Sequence, residues 1–93
     1  MTRESAELLA VQALTFLAQD VDRLGAFMAQ TGIAPTELRT AARETGFLAG
    51  ILDHIAADEP LLIEFAGHLQ VRPEDVMAAR RALGGHNWER DVP

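Results

Sequence analysis

The amino-acid sequence predicts an all-α fold, a compact bundle of about six short helices. Apolar residues recur at the three- and four-residue spacing of amphipathic helices. Asp, Pro and Gly stand where such helices would begin and end, and Val, Ile and Thr form no alternating run typical of a strand. The length suits one domain with a modest core, which we place at residues 1–85, followed by a tail at 86–93.

An internal repeat organises these helices. Residues 16–46 match residues 54–84 at a constant offset of 38 without a gap, and eight of the 31 positions are identical. Several identical pairs fall where they would shape a helix or its core: Asp20/Asp58, Leu24/Leu62, Phe27/Phe65, Pro35/Pro73 and Gly46/Gly84. We therefore predict two three-helix repeats, at about 6–46 and 47–84, related by a pseudo-two-fold axis.

The first repeat contains three predicted helices, at about residues 4–18, 21–31 and 35–46. Asp20 is a suitable N-cap for the second helix, because its carboxylate can accept hydrogen bonds from free amides. Gly32 ends that helix. Pro35 suits the first position of the third helix, and Gly46 stands near its end.

The second repeat is expected to follow the same plan, with helices at about 47–57, 59–69 and 73–83. Asp58 is the predicted N-cap of its middle helix, and Pro73 opens its last helix. Gly84 and Gly85 end that helix. The predicted core is the set of apolar stripes on these helices: Leu24, Phe27, Met28, Leu38, Ala41, Phe47, Leu48, Ile51, Leu52, Ile55, Leu61, Leu62, Phe65, Leu69, Val76 and Ala79.

The first helix is apolar around most of its circumference. Leu9 and Phe16 lie on one side, and the rest carries Leu8, Val11, Leu14 and Leu17. Such a helix is either central in its domain or covered by another chain. We expect the central position and keep a homodimer seam at Leu9 and Phe16 as the alternative. In the tail, Trp88 is expected to pack against its own domain or to anchor a partner.

Composition excludes several classes of function. Without Cys the chain can form no disulfide, thiolate metal site or thiol nucleophile. The net charge of −6 opposes tight binding to phosphates or anionic membranes. The N-terminal residues lack a signal-peptide pattern, and Glu7 and Gln12 interrupt any membrane span. We expect a cytoplasmic protein without a membrane segment.

One group of residues has the spacing of a catalytic or metal-binding pair. His54 and Asp58 are four residues apart, and Glu59 follows. The first repeat keeps the Asp but has Phe16 in place of the His, so capping explains the Asp without any site. A metal site also needs three or more ligands. We expect no enzyme activity, cofactor or metal.

The helix pairs at 20–44 and 58–83 resemble a DNA-binding helix-turn-helix in their spacing. That spacing suits any tight helix pair. The start of each third helix, which would enter the groove of DNA, carries acidic residues such as Glu37 and Glu74. Four Arg residues follow on these helices and are the candidate ligand-facing cations: Arg39, Arg43, Arg80 and Arg81. Nucleic-acid binding is thus the alternative function.

Three runs of the sequence resemble a known family: AELLAVQALTFLAQDVDRLGAFMAQTGIAPTELRTAA, GFLAGILDHIAADEPLLIEFA and RPEDVMAARRALGG. The family consists of short all-helical alphaproteobacterial proteins catalogued as a domain of unknown function. The likeness covers roughly residues 6–85, and its motifs are FLA-x-D, TG-x-x-P and ADE-x-L. The resemblance implies an all-α, cytoplasmic bacterial protein and transfers no functional residue.

We interpret the chain as a non-catalytic interaction or adaptor module. No catalytic pattern is visible, the composition is acidic, and apolar residues surround the first helix. The expected partner is another protein or a second copy of this chain. The candidate interface residues are Leu9, Phe16 and Trp88.

Overall fold

The computed structural model describes residues 1–84, whose regular secondary structure is entirely helical, with no strand. The elements in chain order are α1 (Arg3–Ala18), α2 (Val21–Thr31), a 3₁₀ turn (Pro35–Glu37), α3 (Leu38–Ala41), α4 (Thr45–Ala56), α5 (Glu59–Leu69) and α6 (Pro73–Ala82). The predicted all-α class is therefore confirmed. In this described part of the chain, no helix has the length and apolar character needed to cross a bilayer.

Helices α1, α4 and α6 pack against one another and form the centre of the molecule. Helix α2 adds to α1, and α5 lies against α4 and α6. The largest side chains that are fully buried come from five of the helices: Leu17, Phe27, Ile51, Leu52, Ile55, Phe65 and Val76. Every predicted core residue on α4 and α6 is buried or half-buried.

Helix α1 reaches its central position with small side chains. Ala6, Ala10 and Ala13 are all fully buried and lie on one face of the helix with Leu17. A face of alanines lets neighbouring helices approach closely, and Ala79 does the same on α6. This explains how a chain with few aromatic residues fills its core.

Local capping follows the sequence prediction. The Asp20 carboxylate accepts hydrogen bonds from the backbone amides of Asp22 at 3.0 Å and Arg23 at 3.3 Å. The Asp58 carboxylate accepts one from the Leu61 amide at 3.3 Å. Both aspartates therefore act as N-caps, as predicted. Gly32 ends α2 with a φ of 75°, a left-handed conformation that suits glycine.

The third helix of the first half is much shorter than predicted. It was expected to reach Gly46, but α3 ends at Ala41, and Gly46 lies inside α4. The backbone at Glu44 is extended, with φ −98° and ψ 129°, and this interrupts the helix. No residue of α3 is buried, so tertiary packing does not extend it beyond one turn. The predicted ending at Gly46 is wrong.

The two halves share helix boundaries but differ in packing. The boundaries of α2 and α5 correspond at the offset of 38, and α1 and α4 end at corresponding alanines. In contrast, α6 is wedged between α1 and α4, whereas α3 makes only marginal contacts with the other helices. Within residues 1–84, the predicted pseudo-two-fold relation does not extend to α3 and α6.

This asymmetry can be tested with two equivalent substitutions. Val76 on α6 is fully buried, and its counterpart Leu38 on α3 is only half-buried. We expect Val76→Ala to lower the free energy of unfolding by about 2 kcal/mol, through lost apolar burial and the cavity left behind. Leu38→Ala removes more atoms but should lower the free energy of unfolding by only about 1 kcal/mol or less. Urea unfolding measures both values, and an equal or larger loss at Leu38 would contradict the packing described for α3.

Candidate interaction surfaces

The structure places the predicted interface residues of α1 inside the chain's own core. Leu9 and Phe16 are each 7% exposed. The Phe16 ring lies 5.3 Å from that of Phe65, measured between centroids. The exposed apolar residues of α1 are instead Leu8, at 60%, and Val11, at 41%. The candidate surface of α1 therefore moves from Leu9 and Phe16 to the opposite face of the helix.

From Leu8 onward that outer face carries no charge. Residues 8–19 contain no Asp, Glu, Arg or His, although charged residues make up 24% of the chain. Six of these residues are exposed and share the outer face at helical spacing, and we call them the α1 strip: Leu8, Val11, Gln12, Thr15, Ala18 and Gln19. The Thr15 hydroxyl donates a hydrogen bond to the Val11 carbonyl at 3.1 Å, so it is satisfied within the helix.

Apolar residues are also exposed on two other helices. Val21 at the start of α2 is 83% exposed, and Ile63 on α5 is 57% exposed. Single exposed apolar residues are ordinary on protein surfaces. The α1 strip differs from them because Leu8 and Val11 are adjacent on one helix and no charged residue follows them before Asp20.

A second surface is the open groove between α3 and α4, with a volume of about 460 Å³. We call it the α3–α4 groove, and its lining residues are Ile33, Thr36, Glu37, Thr40, Ala41, Glu44 and Phe47. The apolar members Ile33, Ala41 and Phe47 are half-buried, whereas both glutamates are exposed. The groove thus combines an apolar floor with an acidic rim.

The floor of the groove is supported from beneath. The Phe47 ring meets the ring of Phe27 edge to face, with centroids 5.7 Å apart. Phe27 is fully buried. Because Phe27 belongs to the core, this contact fixes the orientation of Phe47.

The four candidate ligand-facing arginines are distributed over α6, α3 and the residues after α3. Arg80 is half-buried and forms an ion pair with Asp53 of α4. Arg39, Arg43 and Arg81 are exposed. Helix α3 is a single turn, too short to lie along a DNA groove as a recognition helix. Helix α6 presents Val76 and Ala79 to the core, so only its outer side is free to meet a ligand.

His54 is held by contacts within the protein. Its Nδ1 lies 2.7 Å from Gln30 Oε1, and its ring meets the Phe27 ring at a centroid distance of 5.1 Å. A cleft of about 230 Å³ beside it is also lined by Asp58, Arg23 and Glu64. Asp58 caps α5, and Arg23 and Glu64 form an ion pair between α2 and α5. Among residues 1–84, no group of three His, Asp or Glu side chains is arranged to hold a metal ion.

Electrostatics around this cleft follow from these contacts. Partial burial lowers the pKa of His54, and the nearby Asp58 carboxylate opposes that effect only in part. The hydrogen bond from Arg23 lowers the pKa of Glu64, and the same contact raises the pKa of Arg23. The Arg23–Glu64 ion pair therefore links α2 to α5, and the His54–Gln30 contact links α4 to α2.

Neither surface was fully predicted from the sequence. The uncharged run at 8–19 was a readable signal for the α1 strip, because interface centres are depleted of charge. The α3–α4 groove had no comparable signal, since it depends on where a one-turn helix lies. Trp88, the third predicted interface residue, lies outside the described residues.

Protonation of His54 should make stability depend on pH. Its pKa in the folded state lies below the ordinary value of 6.5, so the unfolded chain binds the proton more readily. Stability is then lost as the pH falls from about 6.5 towards the folded-state pKa. We expect the urea midpoint of the wild type to fall between pH 7.5 and 5.5, and that of His54→Gln to fall less. His68→Gln, on the exposed side of α5, is the matched control and should retain the wild-type change. An equal change in the wild type and in His54→Gln would contradict this account.

Comparisons with known proteins name no activity for this chain. Neither a curated protein nor a solved structure matches the chain. Residues 3–86 match the family described as "Protein of unknown function (DUF3572)". That range includes every helix described above. The chain therefore belongs to this family of proteins of unknown function.

Proposed function

We propose that this protein is a non-catalytic interaction module that binds another protein, or a second copy of itself, through the α1 strip. The observation that carries the proposal is that the exposed face of α1 is free of charge from Leu8 to Gln19, in a strongly acidic chain. Interface centres are depleted of charged residues, whereas solvated helix faces usually carry them. The α1 strip has the charge-poor composition of an interface centre.

The exposed apolar side chains give this surface a source of binding energy. Fully burying a Leu or Val side chain contributes about 1.5–3 kcal/mol. Leu8 and Val11 are already partly covered, so their remaining burial would contribute about 2 kcal/mol together. That is more than a tenfold gain in affinity. The core alanines on the opposite face of α1 hold the strip rigidly, so little ordering would be needed on binding.

A non-catalytic role is supported by the chemistry around His54. A general acid or base must reach a substrate proton, but His54 Nδ1 already contacts Gln30. Asp58 and Glu64 are engaged by a helix cap and by Arg23. These contacts give each of the three side chains a structural role in the fold.

The proposal predicts that charge introduced into the α1 strip abolishes binding. Leu8→Glu combined with Val11→Glu should weaken partner capture at least tenfold, because two carboxylates would have to be desolvated in the interface. Both positions are exposed, so the helical content should stay unchanged. The measurement is quantitative mass spectrometry of proteins captured from the native lysate by the tagged protein, with sedimentation velocity for self-association.

Ile63→Glu is the matched control. It places the same charge at a similarly exposed apolar position, but on α5. Proteins lost from the double variant and retained by Ile63→Glu identify the partner. If both variants capture the same proteins and keep the same oligomeric state, the α1 strip is not an interface. Capture that disappears on nuclease treatment would instead favour nucleic-acid binding by the helix pairs at 20–44 and 58–83.

A further inference from the structure

We propose that the α3–α4 groove is a second docking site, and that its occupant is a basic peptide segment that inserts one large apolar side chain between α3 and α4. The site uses other residues than the α1 strip and does not depend on it. An amphipathic helix with one apolar anchor and basic neighbours is the partner chemistry that fits.

The groove exists because α3 does not pack as its counterpart does. Helix α6 fits between α1 and α4 and buries Val76 and Ala79. The equivalent residues of α3, Leu38 and Ala41, stay half-buried, and α3 makes only marginal contacts with other helices. The resulting space is about 460 Å³, within the range of about 300–1,000 Å³ typical of ligand sites.

The apolar floor is suited to an anchor side chain. Ile33 and Phe47 are half-buried and face the groove, so each has apolar surface that an inserted side chain would cover. Phe47 is held in place by its contact with the buried Phe27. A preformed floor of this kind reduces the ordering cost of binding.

The charges on the rim select a basic partner. Glu37 and Glu44 line the groove, and the arginines nearest to them in the sequence, Arg39 and Arg43, do not. Within residues 1–84 neither glutamate is in an ion pair. Glu37 Oε1 accepts a hydrogen bond from the Ala34 amide at 3.0 Å, which holds the carboxylate at the rim. Lys or Arg on either side of the anchor would pair with these carboxylates, and an acidic segment would be repelled.

The acidic rim also disfavours the other possible occupants of the groove. A second copy of this chain carries a net charge of −6 and would be repelled from an acidic rim. The chain's own tail presents Trp88 as an apolar residue, but Glu89 and Asp91 accompany Arg90. Neither offers the excess of positive charge that the two glutamates favour.

Two fluorescein-labelled 15-residue peptides test the proposal with the full chain. Both are amphipathic Leu-based helices, one with Lys and the other with Glu at the polar positions. NMR titration of the ¹⁵N-labelled protein locates binding, and fluorescence anisotropy measures affinity. We expect the Lys peptide to shift amide signals within residues 33–47 and the Glu peptide to leave them unchanged.

Matched variants then separate the groove from general charge attraction. Glu37→Gln with Glu44→Gln keeps the hydrogen-bond acceptor at the Ala34 amide but removes both rim charges. It should weaken the Lys peptide about tenfold, through the loss of two ion pairs at a partly desolvated site. Glu4→Gln with Glu74→Gln removes the same net charge from exposed positions elsewhere and should leave the affinity unchanged.

Several results would overturn the proposal. The first is equal affinity of the two double variants for the Lys peptide. The second is that the peptide shifts amide signals centred on residues 8–19 instead of those of the groove. A third is peptide binding that requires prior deletion of residues 86–93, which would make the tail the occupant. If the amide signals of residues 33–47 change with protein concentration when no peptide is present, the occupant of the groove is a second copy of the chain.

Discussion

The close contact of α1 with α4 and α6 is the constraint on which the rest of the structure depends. Three alanines on α1 are fully buried, and their small side chains let the neighbouring helices approach α1 closely. Larger residues would push the helices apart and open voids that the few aromatic residues could not fill. The outward direction of the α1 strip follows from the same contact, because the face opposite the alanines must meet solvent.

Features that depend on neighbouring residues were predictable from the sequence. The caps at Asp20 and Asp58, and the end of α2 at Gly32, need only local hydrogen bonds and a local backbone conformation. The length of α3 was not predictable, because Gly46 and Gly84 look alike in the sequence. Gly84 adopts a φ of 80° after α6, whereas Gly46 lies within α4. Tertiary packing determines whether such a glycine ends a helix or lies within one, and no pattern in the sequence indicates that packing.

For the candidate surfaces, too, local features were predictable from the sequence and tertiary features were not. Helical periodicity identified the residues around α1 but could not say which side would face the core, since Leu8 and Leu9 are chemically identical neighbours. The structure buries Leu9 and exposes Leu8. The α3–α4 groove depends on the position of α3 relative to α4, which is a long-range property. The two surfaces also differ in physics: one is apolar and uncharged, and the other has a charged rim.

The uncharged strip affects the solubility of the protein and its dependence on pH. At neutral pH the net charge of −6 keeps molecules apart, although each carries an exposed apolar face. The isoelectric point is near 4.8, and there the mutual repulsion vanishes while the strip, having nothing to titrate, is unchanged. Solubility should therefore have its minimum near that pH, with precipitation beginning through contacts between α1 faces.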